Sequence, residues 1–229
     1  MREFSGFPKQ TLPFLQKLGR NNERDWFNDH KQEYETYVRE PAFAFIEEMA
    51  PKLKTLSSHF HAIAKKSGGS LMRVYRDTRF SKDKTPYKTN IGIQFRHQLG
   101  KDVHAPGFYL HIEHSGCFIG AGIWHPESKT LGKIRNFIAD NPAAWSALKE
   151  QAEFSTQFEL AGDSLKRAPK GFAPDHPLIE DLKRKDFIAL KSFNCSQINR
   201  SDFTDFVMHG FQTTDQLMRY LCTAVEVNY

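Results

Sequence analysis

Three stretches in which apolar and polar residues alternate, over positions 89–97, 107–114 and 117–124, constrain this chain more than any other feature. A period of two is what a half-buried strand requires, because successive side chains leave its backbone on opposite sides. Ser115-Gly116 separates the last two stretches by the two residues that a tight hairpin uses. Residues 70–80 extend the alternation upstream, so four consecutive strands are expected.

On either side the period changes to that of a helix. Leu12, Phe14, Leu15 and Leu18 mark a first helix stopping near Gly19. Trp26, Phe27, His30, Tyr34 and Tyr37 mark a second over about 23–39. Pro41 suits the first turn of a third, which carries Phe45, Ile46, Met49 and Leu53 and which Pro51 should kink or end. Helices return at 127–140, 143–151, 201–209 and 214–225, with short strands at 154–160 and 186–191 and a proline-bearing loop at 167–177. Strands in one block with helices before and after it predict an α+β fold. We expect a single domain over residues 1–229, its mainly antiparallel sheet flanked by N-terminal and C-terminal helices. A chain of 229 residues can bury a sizeable core, and 20 phenylalanines would fill it with rings.

Residues 73–90, RVYRDTRFSKDKTPYKTN, are the candidate site. They hold six basic residues (Arg73, Arg76, Arg79, Lys82, Lys84, Lys88), two acids (Asp77, Asp83) and three aromatics (Tyr75, Phe80, Tyr87). A core strand cannot bury such charges unpaired, so the segment suits an anionic ligand. Strand alternation would set Arg73, Tyr75, Asp77 and Arg79 opposite Met72 and Val74. It would likewise set Asn90, Gln94 and Arg96 opposite Ile91, Ile93 and Phe95, and Tyr109, His111 and Glu113 opposite Phe108, Leu110 and Ile112. One face then carries guanidinium forks, hydroxyls and a His beside a Glu, the parts needed to bind phosphate or carboxylate and to move a proton.

The expected ligand-binding residues are Arg73, Tyr75, Arg76, Arg79 and Lys82, followed by Lys84, Tyr87, Lys88, Asn90 and Trp124. The expected proton-transfer residues are His111, Glu113, His125 and Asp77. Trp124 and His125 belong to a Trp-His-Pro-Glu run where a strand hands over to a helix, a place where free amide groups attract anions. The bland reading of each single residue is a charge paired on a solvated face.

The exclusions are clearer. There is no GxxxxGK[ST], no GxGxxG after a strand, no GxSxG, no HExxH and no Cys/His ladder. Neither a metal nor a cofactor follows from these residues, and no oligomeric state does. The close histidine pairs, His59 with His61 and His111 with His114, fall short of a metal site. The three cysteines, Cys117, Cys195 and Cys222, are far apart and odd in number, which suits a reducing cytoplasm. No apolar leader or run of about 18 apolar residues occurs, so a cytoplasmic address without membrane contact is expected.

The order NNxRxWF…HKxxY, RVYRDTRFSKDKTPYKTNI, GFYLHIE…IGAGIWHP and PKGFAPDHPLIEDLKRKDF resembles the bacterial domain of unknown function 2461 family. The resemblance spans nearly the whole chain and implies a single cytoplasmic domain, but no activity. Three functions from different classes remain open. The first is binding of a small phosphate- or carboxylate-bearing molecule, with or without acid–base catalysis. The second is a non-catalytic scaffold in which Asp77 and Asp83 pair with the arginines. The third is a nucleic-acid accessory gripping phosphates through the basic segment and Lys183-Arg184-Lys185. A net charge of only +5, with 27 acids, counts against the third.

Overall fold

The computed structural model describes residues 3–100 and 105–229. Its centre is an antiparallel sheet in the order β1-β2-β3-β4-β6-β5. The strands are β1 (Phe60–His61), β2 (Asn90–His97), β3 (Gly107–Glu113), β4 (Gly116–Ile123), β5 (Glu159–Ala161) and β6 (Phe187–Phe193). The expected α+β class is therefore what the chain adopts, with helices flanking the sheet.

The alternation sorts the two sheet faces as expected. Ile91, Ile93 and Phe95 of β2 are buried on the same side as Phe108, Leu110 and Ile112 of β3, and Ile119 of β4 joins them. Three helices, α4 (Glu40–Leu56), α9 (Phe203–Thr213) and α10 (Asp215–Ala224), pack against the sheet there. Phe211 of α9 lies with its ring centroid 4.7 Å from Phe108 and 5.8 Å from Phe95. Burying each such ring stabilises the fold by roughly 1.5–3 kcal/mol. The other face carries polar residues and glycines along β2 and β3, and Phe118, Leu190 and Ile188 along β4 and β6.

The N-terminal helices rim that second face. α1 (Thr11–Arg20) buries Phe14, Leu15 and Leu18 and reaches the hairpin, where Gln16 Nε2 lies 2.7 Å from His114 Nε2. The single helix expected over 23–39 is instead α2 (Arg24–Asp29), α3 (Lys31–Tyr34) and a π-helical stretch, Glu35–Arg39, that runs straight into α4. Pro51 neither ends nor breaks α4. Pro51 and Glu47 are both exposed, so the carbonyl that loses its donor faces water.

Two expected strands differ. Residues 70–80 form no continuous strand: Leu71 bridges to Ile93, and Tyr75 bridges to Tyr87. Val74 and Arg76 pair with Lys88 and Pro86, so the segment folds back on itself as an arm projecting from β2. The reason is local: Pro86 has no N–H to extend a ladder, and Arg73, Tyr75 and Arg79 are exposed, leaving only Val74 to bury. The strand expected at 154–160 is α7 (Ala152–Gln157) followed by the short β5. Phe154 and Phe158, four residues apart, are both buried and stacked at 5.9 Å, a helical spacing misread as alternation.

The remaining helices, α5 (Ser128–Asp140), α6 (Pro142–Glu150) and α8 (Ile179–Leu182), pack on one another and on α10, and Trp145 of α6 sets its ring 5.9 Å from that of Phe187 in β6. The cysteines also depart from expectation. Cys117 and Cys195 are joined as a disulfide with Cα atoms 5.4 Å apart, and Cys222 is free and buried. No helix among the described residues is long and apolar enough to cross a membrane.

Candidate functional site

The open sheet face holds a cavity of about 400 Å³. Its walls are apolar: Met72, Phe118, Trp124, Ile188 and Leu190 line it, and Gly107, Gly120 and Gly122 form part of its floor. Gly122 and a further glycine, Gly92 of β2, are required by their surroundings. A Cβ on Gly92 would lie 2.7 Å from Tyr109 Oη, so that glycine makes room for the tyrosine inside the cavity. Gly122, at φ +131°, would carry its Cβ 2.0 Å from the Phe187 carbonyl oxygen.

Polar groups collect at one end, where β3 approaches the hairpin. His111 Nδ1 lies 3.4 Å from Asn90 Nδ2 and 3.2 Å from Tyr109 Oη. An amide nitrogen only donates, so Nδ1 accepts and the neutral ring carries its proton on Nε2, 3.5 Å from Glu113 Oε2. Thr89 Oγ1 donates to the other carboxylate oxygen at 2.7 Å. Phe118 stacks on the imidazole at 4.6 Å and an 8° interplanar angle. The register pairs Asn90 with Glu113 and His111 with Phe118, which fixes this chain of contacts.

Burial sets the protonation of these groups. It pushes the Tyr109 phenol up to about 12, the Glu113 charge adding to it and a hydrogen bond with Asn90 opposing it. It holds His111 below its ordinary range, partly offset by the hydrogen bond and charge of Glu113. For Glu113 burial acts upward, but hydrogen bonds with Thr89, Ser115 and His111 outweigh it and keep the carboxyl low.

Lys88 stands at the same end, beside Asn90. It is partly buried, and burial followed by the nearby Arg73 charge lowers its pKa. Among the described residues it has no carboxylate partner. Behind it lies a second cavity of about 370 Å³ that shares Lys88 and Asn90 with the first and adds Arg76, Asp83 and Thr85.

The rest of the basic arm is mostly self-paired. Arg76 hydrogen-bonds both Asp83 and Thr85, and Asp83 also accepts from the Thr85 N–H at 2.9 Å. The hydrogen bond from Arg76 leads in lowering the Asp83 carboxyl to about 2. Arg79 grips Asp77 through Nε at 3.0 Å and Nη2 at 2.7 Å, and holds that carboxyl well below its usual range. Lys84 Nζ donates to the Thr78 carbonyl at 2.9 Å. Arg73 and Lys82 point to solvent, and Phe80 at the tip is 95% exposed. Tyr87 stacks on Phe27 at 4.1 Å with its edge on the second cavity, and Tyr75 packs beside it at 5.4 Å.

The structure thus gathers Lys88, Asn90, His111, Glu113 and Arg76, and separates them from Asp77, Arg79, Lys82 and Lys84. His125 forms a different centre. At φ +47° its backbone N–H and Nδ1–H both reach Asp186 Oδ1, at 2.7 and 2.8 Å, while the Asp163 N–H donates to Oδ2 at 2.8 Å. Asp186 is 1% exposed. Ile123, the last residue of β4, lies five residues from Phe118, about 17 Å at the rise of a strand, and His125 lies beyond it, so His125 and His111 cannot act on one atom. Among the described residues no group of three His, Cys, Asp or Glu side chains is placed to hold a metal ion.

A family model described as a conserved hypothetical protein, DUF2461, matches residues 10–220. The chain belongs to this family. No curated protein matches it. The matched DUF2461 region contains every group described above, both cavities and the basic arm included. Sequence reasoning missed three DUF2461 site features: Asp186, assigned only to a strand start, Thr89, and the Gly92 clearance. Gly92 had a visible signal, because it interrupts the polar positions of β2 between Asn90 and Gln94.

Proposed function

We propose that this DUF2461 protein binds a small molecule pairing an apolar body with one phosphate or carboxylate group. The anion lies against Lys88, and the body lies along the sheet face between Phe118 and Trp124. The observation that carries this reading is the partly buried Lys88 ammonium, without a carboxylate among the described residues, at the mouth of an apolar cavity. A desolvated cation gains more from an anion than a solvated one, and an apolar pocket with a few convergent polar groups is the usual form of a ligand site. The hydrogen-bonded chain Thr89–Glu113–His111–Tyr109 adds a group able to accept or donate a proton beside that anion, so proton transfer is the chemistry the site admits.

A scaffold role is favoured by a different observation, the Arg76–Asp83 and Arg79–Asp77 pairs. It predicts that no anion binds. The deciding experiment is a thermal-shift screen of wild type, Lys88→Met and Arg79→Ala against benzoate, phenyl phosphate, inorganic phosphate and a short oligonucleotide. Ligand at a hundred times Kd should raise the wild-type Tm by about 5–10 °C. Loss of that shift in Lys88→Met but not in Arg79→Ala supports the reading. Equal shifts in all three proteins, or a shift from the oligonucleotide alone, would overturn it.

A further inference from the structure

Resting on the reading of Lys88 as the anion's anchor, we propose that the second cavity binds a hydroxyl-rich group. The ligand is then a phosphodiester joining an apolar group to a polyol. The two cavities meet at Lys88 and Asn90, so an anion at that junction can carry substituents in both directions. A carboxylate or a phosphate monoester bears one substituent. A phosphodiester bears two and keeps a negative charge for the Lys88 ammonium, which has no carboxylate partner among the described residues.

The linings assign the two arms. The sheet cavity offers Met72, Phe118, Ile188 and Leu190 to an apolar arm. The second cavity offers the Arg76 guanidinium, the Asp83 carboxylate and the Thr85 hydroxyl, already bonded to one another. A second phosphate is disfavoured there, because Asp83 neutralises Arg76 and would face the incoming charge. A hydroxyl suits the pair: it donates to the carboxylate and accepts from the guanidinium, and neighbouring hydroxyls do both together. Asp83 is ionised throughout the physiological range, so its acceptor is always present.

The test compares two diesters of equal charge, phenyl methyl phosphate and phenyl glyceryl phosphate, by calorimetric titration of the full chain. Wild type should bind the glyceryl ester about tenfold more tightly, the gain expected from hydrogen bonds to charged groups. That ratio should fall to about one in Asp83→Asn, and in Thr85→Ala should the first variant fold poorly. A wild-type ratio near one, with both diesters weakened by Lys88→Met, overturns the polyol assignment and leaves the anion site standing. Diesters that bind regardless of Lys88→Met overturn the underlying reading as well. A soluble diester and a lipid headgroup share this chemistry. Sedimentation with phosphatidylglycerol vesicles, lost in Asp83→Asn, supports the headgroup as the source, and a tenfold ratio without sedimentation supports the soluble one.

Discussion

The Asn22 side chain clasps the peptide unit of Tyr87: its Nδ2 donates to the Tyr87 carbonyl at 2.9 Å, and its Oδ1 accepts the Tyr87 N–H at 3.0 Å. Sixty-five residues apart in sequence, the two mimic a pair of strand hydrogen bonds where no strand is available. The clasp fixes the residue before Lys88, so the loop after α1 sets where the cavity's cation stands. Asn22→Ala leaves a part-buried donor and acceptor unpaired. We expect a loss of about 2 kcal/mol in denaturant unfolding, together with weaker anion binding. Unchanged stability would mean that the clasp contributes nothing.

His111 gives the fold a pH dependence of defined sign. Burial keeps it below its ordinary range in the native state, so the unfolded chain takes up that proton first as pH falls. Stability is therefore lost as pH drops through about 6.5, the unfolded value. His97 shifts the same way, also by burial. Between about pH 7 and pH 5.5 the Tm of wild type should fall more than that of His111→Gln. Because Glu113 raises the His111 pKa, Glu113→Gln should move the imidazole NMR titration to lower pH.

Asp186 holds the β4–α5 turn from beneath. Its carboxylate receives the His125 and Asp163 backbone N–H groups as well as the imidazole. Asp186→Ala should cost roughly 1–3 kcal/mol, by stranding part-buried backbone donors. Asp186→Asn, which keeps one acceptor, should cost less. Equal losses in the two variants would show that packing rather than hydrogen bonding decides the site.

The disulfide is open to direct counting. Unreduced, denatured protein should show one reactive thiol, Cys222, and three after reduction. Closing a loop of 78 residues constrains the unfolded chain, so reduction should lower stability by about 2–4 kcal/mol. Three free thiols in protein kept from reductant would contradict the pairing.

The fold was legible where side-chain period and burial agree. Ile91, Ile93 and Phe95 alternate with Asn90 and Gln94, and β2 follows from that alone. The arm at 70–80 was misread because its alternation of Val74 with Arg73 and Tyr75 lacks a partner strand, and pairing is a long-range property that local pattern does not carry. The site was half legible. His111 and Glu113 share a face by parity, and Lys88 with Asn90 continues that parity past the strand end. That Lys88 has no carboxylate partner among the described residues was not legible, because the Arg76–Asp83 and Arg79–Asp77 pairs depend on how the arm folds back. Asp186 was invisible for the same reason, since its partners come from the turn after β4 and from the loop after β5.

The most direct test of the central claim is an amide NMR titration of wild type and Lys88→Met with phenyl phosphate. Shifts should concentrate on Asn90, Gly92, His111 and Gly120, around the sheet cavity, and be lost in the variant. Shifts confined to the exposed tip around Phe80, or identical in the two proteins, would contradict it.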